Sequence, residues 1–187
     1  ELKLILDFPI REIKIETDNT NLYLNNNLIK LSKINIRVDL FSFLKRKIKI
    51  KNIEIITKEN SVKNILNFLK SYRTNLSLIL LANSIEQGSL KTKLKVNFDE
   101  KNGNNLSYLA SGEIIDVQLN LLNKKKTKNI NFNFNITDEK YEFENISFEY
   151  KKLKINSEKL KVIKKNQNYF FKWSFKSKQN SISPRLL

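Results

Sequence analysis

Apolar and polar side chains alternate along most of this chain. In NINFNFNI, Asn129 to Ile136, four amides alternate with four large apolar residues. Successive side chains of an extended strand point to opposite faces, so Ile130, Phe132, Phe134 and Ile136 fall on one side and the four Asn on the other. Upstream, Ile13 and Ile15 sit between Glu12, Lys14 and Glu16. After the turn signal Asn25-Asn26-Asn27, Ile34, Ile36, Val38 and Leu40 alternate with Asn35, Arg37 and Asp39. Both segments predict strands with one dry face. Ile48 and Ile50, then Ile53 and Ile55, alternate with polar residues but change phase near Lys51-Asn52, the mark of a β-bulge. Leu90, Leu94, Val96 and Phe98 lead to Asn102-Gly103, a tight-hairpin signal, and a return strand is expected from about Leu106 to Leu121.

The C-terminal third continues the pattern. Tyr141 and Phe143, then Ile146, Phe148 and Tyr150, then Leu153 and Ile155, then Leu160 and Val162, and finally Tyr169, Phe171, Trp173 and Phe175 predict a meander of four or five antiparallel strands. One segment departs from it. Ser61 is a suitable N-cap, and Val62, Ile65, Leu66, Phe68 and Leu69 follow at helical spacing, which predicts an amphipathic helix from Ser61 to about Ser71. A second helical turn or two is expected over Leu76 to Ala82. The predicted fold is mainly β with a helical insert, residues 1–187 forming one domain. About nine or ten strands, each with an apolar face, present more apolar area than one such helix can cover. The sheet must fold into a sandwich, close as a barrel, or curl into a gutter whose dry inside holds something else.

Composition sharpens this picture in three ways. With 187 residues, 40% of them hydrophobic, a substantial core is expected. The longest apolar run, Leu78 to Ala82, is far shorter than the roughly 20 residues of a spanning helix. The chain starts at Glu1 and contains no Met, which leads us to expect a piece of a longer protein. Secondly, Cys and His are both absent, so thiolate chemistry, disulfides and the commonest metal ligand and general base are missing. The carboxylates Asp138, Glu139, Glu142 and Glu144 stand without a basic partner of that kind or a Gly-rich phosphate loop. They read as a solvated face, and no enzyme, cofactor or metal site is expected. Thirdly, the net charge of +16 is carried by 30 Lys and only 5 Arg spread through the chain. Aromatic residues mostly alternate away from the lysines, which argues against a nucleic-acid surface. Such charge would attract an anionic lipid surface. Lys124-Lys125-Lys126 reads as a solvated loop.

Leu31 to Lys70, LSKINIRVDLFSFLKRKIKIKNIEIITKENSVKNILNFLK, resembles the AsmA-like and TamB-like envelope proteins, in which a strand passes through a short apolar turn, here Leu40 to Leu44, into a second strand with the pattern I-x-I-x-x-I-x-I and then a helix. The ladder from Asn129 to about Lys178 is similar to the repeating strands of the same group, which has the form of bridge-like lipid-transfer proteins. The resemblance implies a curled antiparallel sheet, shaped like a gutter, along which phospholipid acyl chains pass between inner and outer membranes. It implies a periplasmic location, an inner-membrane anchor upstream, and adjoining modules joined through the sheet edges. The residues expected to line the groove are Ile130, Phe132, Phe134, Ile136, Tyr141, Phe143, Phe148, Ile155, Val162, Phe171 and Trp173. The helix carrying Val62, Ile65, Leu66, Phe68 and Leu69 is expected to cap one end of the groove or pack inside it. An outer-membrane barrel and a basic nucleic-acid-binding module are the competing readings.

Overall fold

The computed structural model describes residues 1–24, 27–72, 75–99, 105–121, 125–151, 153–165 and 168–177. The Asn25-Asn26 and Asn102-Gly103 turn signals lie outside them. Among the described residues there are twelve strands: β1 (Leu2–Asp7), β2 (Glu12–Asp18), β3 (Asn21–Leu24), β4 (Asn27–Asp39), β5 (Ile50–Thr57), β6 (Asn60–Ser61), β7 (Ile85–Asp99), β8 (Asn105–Leu121), β9 (Lys125–Thr137), β10 (Lys140–Tyr150), β11 (Leu153–Lys165) and β12 (Asn168–Ser177). Three short helices interrupt them, α1 (Leu40–Leu44), α2 (Val62–Tyr72) and α3 (Leu76–Ser84). The strands form one antiparallel sheet in the order β1-β2-β4-β5-β7-β8-β9-β10-β11-β12, with the short β3 and β6 pairing to β4 and β7. The sheet is curled and not closed, so β1 and β12 are its two edges.

The register carries the apolar stripe from strand to strand. Leu6 lies opposite Ile13, Ile13 opposite Val38, Ile36 opposite Ile53, and Ile53 opposite Val96. Val96 faces Tyr108, Ala110 faces Ile136, and Ile136 faces Tyr141. Cross-strand neighbours on one face share a side of the sheet, so these pairs form one continuous apolar floor. The opposite face holds the charges, largely as cross-strand pairs. Glu16 pairs with Lys14 and Lys33, Glu54 with Lys93 at 2.7 Å, and Glu142 with Lys140 and Lys159 at 2.7 and 3.2 Å. These pairs engage some of the lysines, while the net charge of +16 is what remains once every acid is matched.

Several sequence expectations change. Leu40 is the first residue of α1, not the end of a strand, because the Asp39 carboxylate accepts from the Ser42 N–H at 2.8 Å and caps a helical turn. Ile48 lies outside β5 and is exposed. Of Lys124-Lys125-Lys126, Lys124 lies outside the described residues, while Lys125 and Lys126 open β9 and Lys126 pairs with Glu86 at 3.0 Å. The bulge expected near Lys51 is present, since Val38 pairs with Ile50 and Arg37 with Asn52, leaving Lys51 over.

Further bulges form a line across the sheet. The pairing shifts between Gln87 and Ser89, between Ile114 and Val117, and between Glu144 and Ser147. Gly88 has φ of 131°, and Asp116, Asn129 and Asn145 have φ near 50°. Asp and Asn adopt this left-handed region at less cost than other side chains. Asn131 supports the line, accepting from the Asp116 N–H and donating to the Asn129 carbonyl, both at 2.9 Å. Each bulge shifts the strand by one residue and so keeps apolar side chains on the floor beyond it.

Core packing is thin. Among the described residues, no large side chain is fully buried. The accessible surface is 13612 Å², against roughly 9,300 Å² expected for a compact 22.1 kDa chain. The main cluster joins Val62 and Leu66 of α2, Ala82 of α3, Ile85 of β7 and Val117 of β8, with Leu78, Leu90, Ile114, Leu119 and Ile130 against it. A second cluster, Ile13, Val38 and Leu40, with Ile15 and Ile36, lies near β1.

Candidate lipid groove

The opened stretch forms most of β9, and its two sides have different fates. Asn133 and Asn135 are exposed, whereas Asn131 is half-buried and holds the bulge line. On the other side, Ile130 and Phe132 enter an open apolar concavity of about 360 Å³, completed by Thr127, Phe143, Ile146, Phe148 and Leu160. Apart from Thr127, every side chain lining it is aliphatic or aromatic. Phe132 and Phe143 meet edge to face with ring centroids 5.7 Å apart, a geometry that contributes about 1 kcal/mol beyond area burial. The concavity therefore rests on an aromatic pair held across two strands.

Four of the eleven expected lining residues, Ile130, Phe132, Phe143 and Phe148, line this concavity. Phe134, Ile136 and Tyr141 continue the floor along the same strands, Phe134 opposite both Gly112 and Phe143 and Ile136 opposite Tyr141. Phe134 lies over Gly112, where an added Cβ would stand 2.9 Å from its ring and 2.1 Å from the Lys91 carbonyl oxygen. Tyr141 neighbours Tyr108, whose phenol is pushed up mainly by burial, with Tyr141 and Asp138 adding to the shift. Ile155 lies opposite Phe148, and Val162, which is buried, lies opposite Tyr141 and Phe171. Phe171 and Trp173 are on the edge strand β12 and are 72% and 54% exposed, outside the concavity, and Trp173 lines a second, polar pocket with Glu142, Lys159, Lys161 and Lys172. The Trp173 indole N–H donates to Ser157 Oγ at 2.9 Å.

Thr127, Ile146 and Leu160 line the concavity without being among the expected residues. Their signal was available as a spacing of three: Thr127 to Ile130, Phe143 to Ile146, and Ser157 to Leu160. A period-2 reading takes such a step as a strand break, but here the strand continues through a bulge.

α2 and α3 pack on the apolar face of the sheet. They cover Leu90, Ile114, Val117, Leu119 and Ile130, that is, one half of the length of β7, β8 and the start of β9. The floor residues Leu94, Val96, Ala110, Phe134 and Ile136 lie farther along the same strands. Val62 and Leu66 are buried in this contact, Ile65 and Phe68 are half-buried, and Leu69 is exposed. Ile130 belongs both to this covered cluster and to the open concavity.

Comparison with protein-family models, with curated proteins and with solved structures gives no match for this chain. The described residues contain no group of three or more His, Cys, Asp or Glu that could hold a metal ion. None of their helices is long and apolar enough to cross a membrane.

Proposed function

We propose that this chain is an AsmA-like or TamB-like envelope module whose apolar floor carries phospholipid acyl chains between inner and outer membranes. The observation that carries the proposal is the 360 Å³ concavity, apolar on almost every side, set in a continuous apolar face of an unclosed sheet. A methylene takes up about as much room as a water, roughly 30 Å³, so the concavity accepts about twelve methylenes. At about 0.8 kcal/mol each, full burial would contribute roughly 10 kcal/mol, and contact on one side only about half of that. This range holds a chain while leaving it exchangeable. Because the attraction is non-directional, neighbouring floor positions are nearly equivalent and a chain can slide between them. In this reading the protein resides in the periplasm, anchored to the inner membrane by an upstream segment. The edges β1 and β12 accept adjoining modules that lengthen the floor.

The test is mass spectrometry of purified protein for copurified phospholipid. Wild-type protein should carry it, and Phe132→Glu with Phe148→Glu should lose it while keeping its far-UV circular dichroism. Lipid-free wild-type protein that also fails to take up a fluorescent phospholipid from vesicles would overturn the proposal.

A further inference from the structure

Two neighbouring turns carry exposed apolar side chains. The β1–β2 turn carries Phe8 and Ile10, and α1 with the segment following it carries Phe41, Phe43, Leu44 and Ile48. These six residues are between 49% and 77% exposed. The turns are neighbours. The Leu40 N–H donates to the Arg11 carbonyl at 3.1 Å, and the Arg11 guanidinium lies 5.2 Å from the Phe41 ring centroid. They are also fastened. Asp39 caps α1, the N–H groups of Lys45, Arg46 and Lys47 donate to Phe41, Phe43 and Ser42, and the Asp39 N–H donates to the Lys49 carbonyl. The apolar side chains are therefore held out in water by an ordered backbone, a costly arrangement unless something covers them. Around them stand Arg11, Lys45, Arg46 and Lys47, and residues 40–50 contain no acidic residue.

We propose that this tip docks on the surface of a bilayer containing anionic phospholipid. Phe8, Ile10, Phe43, Leu44 and Ile48 enter the boundary between headgroups and acyl chains, and the four basic residues meet the phosphates. Charge selects this occupant. The four cations outnumber the acids beside them, of which Glu12 and Asp39 pair with Lys51 and Asp7 accepts from the Ile10 N–H, so the surplus around the exposed apolar groups complements an anionic interface, and a bilayer accepts such side chains without a matching pocket. The inference does not rest on lipid occupying the groove, because docking uses only the two turns.

Flotation with vesicles tests it. Wild-type protein should float with vesicles of equal parts phosphatidylcholine and phosphatidylglycerol and remain behind with phosphatidylcholine alone. Neutralising Lys45 and Lys47 to Gln should lower the partition coefficient roughly 30-fold, from the contribution of each basic residue near an anionic surface. Phe43→Ser with Leu44→Ser should lower it roughly tenfold or more. Phe132→Glu with Phe148→Glu should float as wild type does, which separates docking from groove occupancy. As a second readout that leaves the tip apolar, Phe43→Trp in a Trp173→Phe background should shift its emission to the blue on adding the anionic vesicles. Absence of wild-type flotation, equal flotation on both compositions, tip variants that float unchanged, or an unshifted tryptophan would each overturn the proposal. Self-association abolished by the tip substitutions, without vesicle binding, would overturn it in favour of a second copy of the chain.

Discussion

Gly112 offers the sharpest test of how the floor is built. A methyl group at this position would lie 2.1 Å from the Lys91 carbonyl oxygen and 2.9 Å from both Thr92 Cα and Phe134 Cζ. An ordinary carbon-to-oxygen contact is about 3.3 Å or longer, so β7 and β8 would have to part by about 1 Å where Thr92 faces Gly112. The Phe134 ring can tilt away, but the Lys91 carbonyl is backbone within the ladder and cannot. Overpacking of this kind costs about 1–3 kcal/mol, and a weakened ladder hydrogen bond about 1 kcal/mol more. Gly112→Ala should therefore lose about 2–4 kcal/mol, which at a urea slope of about 2 kcal/mol/M lowers the midpoint by about 1–2 M. Urea unfolding followed by circular dichroism measures it. Gly112→Ala combined with Phe134→Leu should recover only part of the loss, since the backbone contact remains. A single variant within about 0.5 kcal/mol of wild type, the range of an ordinary surface change, would refute the close approach of the strands and with it the floor geometry.

Three other outcomes follow from the structure. Asn60 is buried, accepts from the Lys30 N–H at 2.7 Å and donates to the Lys30 and Lys58 carbonyls at 2.9 and 2.8 Å. Asn60→Ala leaves the Lys30 N–H and the Lys58 carbonyl without this partner, the Lys30 carbonyl keeping the Lys58 N–H, and should cost about 2–3 kcal/mol in the same urea titration. Asp39→Ala removes the α1 cap and should cost about 1 kcal/mol in thermal unfolding while weakening flotation with anionic vesicles. Carboxylates on the charged face set the pH response. Glu16 is held below its ordinary value of 4.5 mainly by Lys14 and then Lys33, and Glu142 mainly by Lys140, with Lys159 adding to it. A depressed pKa in the folded state contributes stability that is fully present above the unfolded value and is lost as pH falls through the folded one. The melting temperature should thus stay level from neutral pH down to about pH 5 and fall below the ordinary glutamate range, and Glu16→Gln with Glu142→Gln should flatten that fall.

Alternation made most of the architecture readable before any coordinates. The strands around Ile13, Ile34 to Val38, Leu90 to Phe98 and Asn129 to Ile136, the helix beginning at Val62 and the bulge at Lys51 all follow from side-chain period alone. What local period cannot supply is the fate of a phase change. Phe143 and Ile146 look like the ends of two strands, but they share one floor because Asn145 takes positive φ between them. Asn60 was equally hidden, one amide among many, because its burial depends on three backbone groups of residues 30 and 58. The sequence shows α1 as an apolar turn, and it takes the contacts of Arg11 with Leu40 and Phe41 to show that it shares a tip with the first hairpin. The groove residues were legible as a face, but not as a concavity. Which of them surround the open volume depends on the bulges at Asn129 and Asn145.

From β7 to β12 each strand pairs with its neighbours in sequence, with no crossover. A hairpin in this half is consequently a unit that evolution can copy or delete without rethreading the chain. Each duplicated pair would widen the floor by about 10 Å, two strand spacings. Length would then be a heritable dial, turned by unequal recombination within the gene, and the span of such a sheet could track the distance it has to cover while its cross-section stays the same.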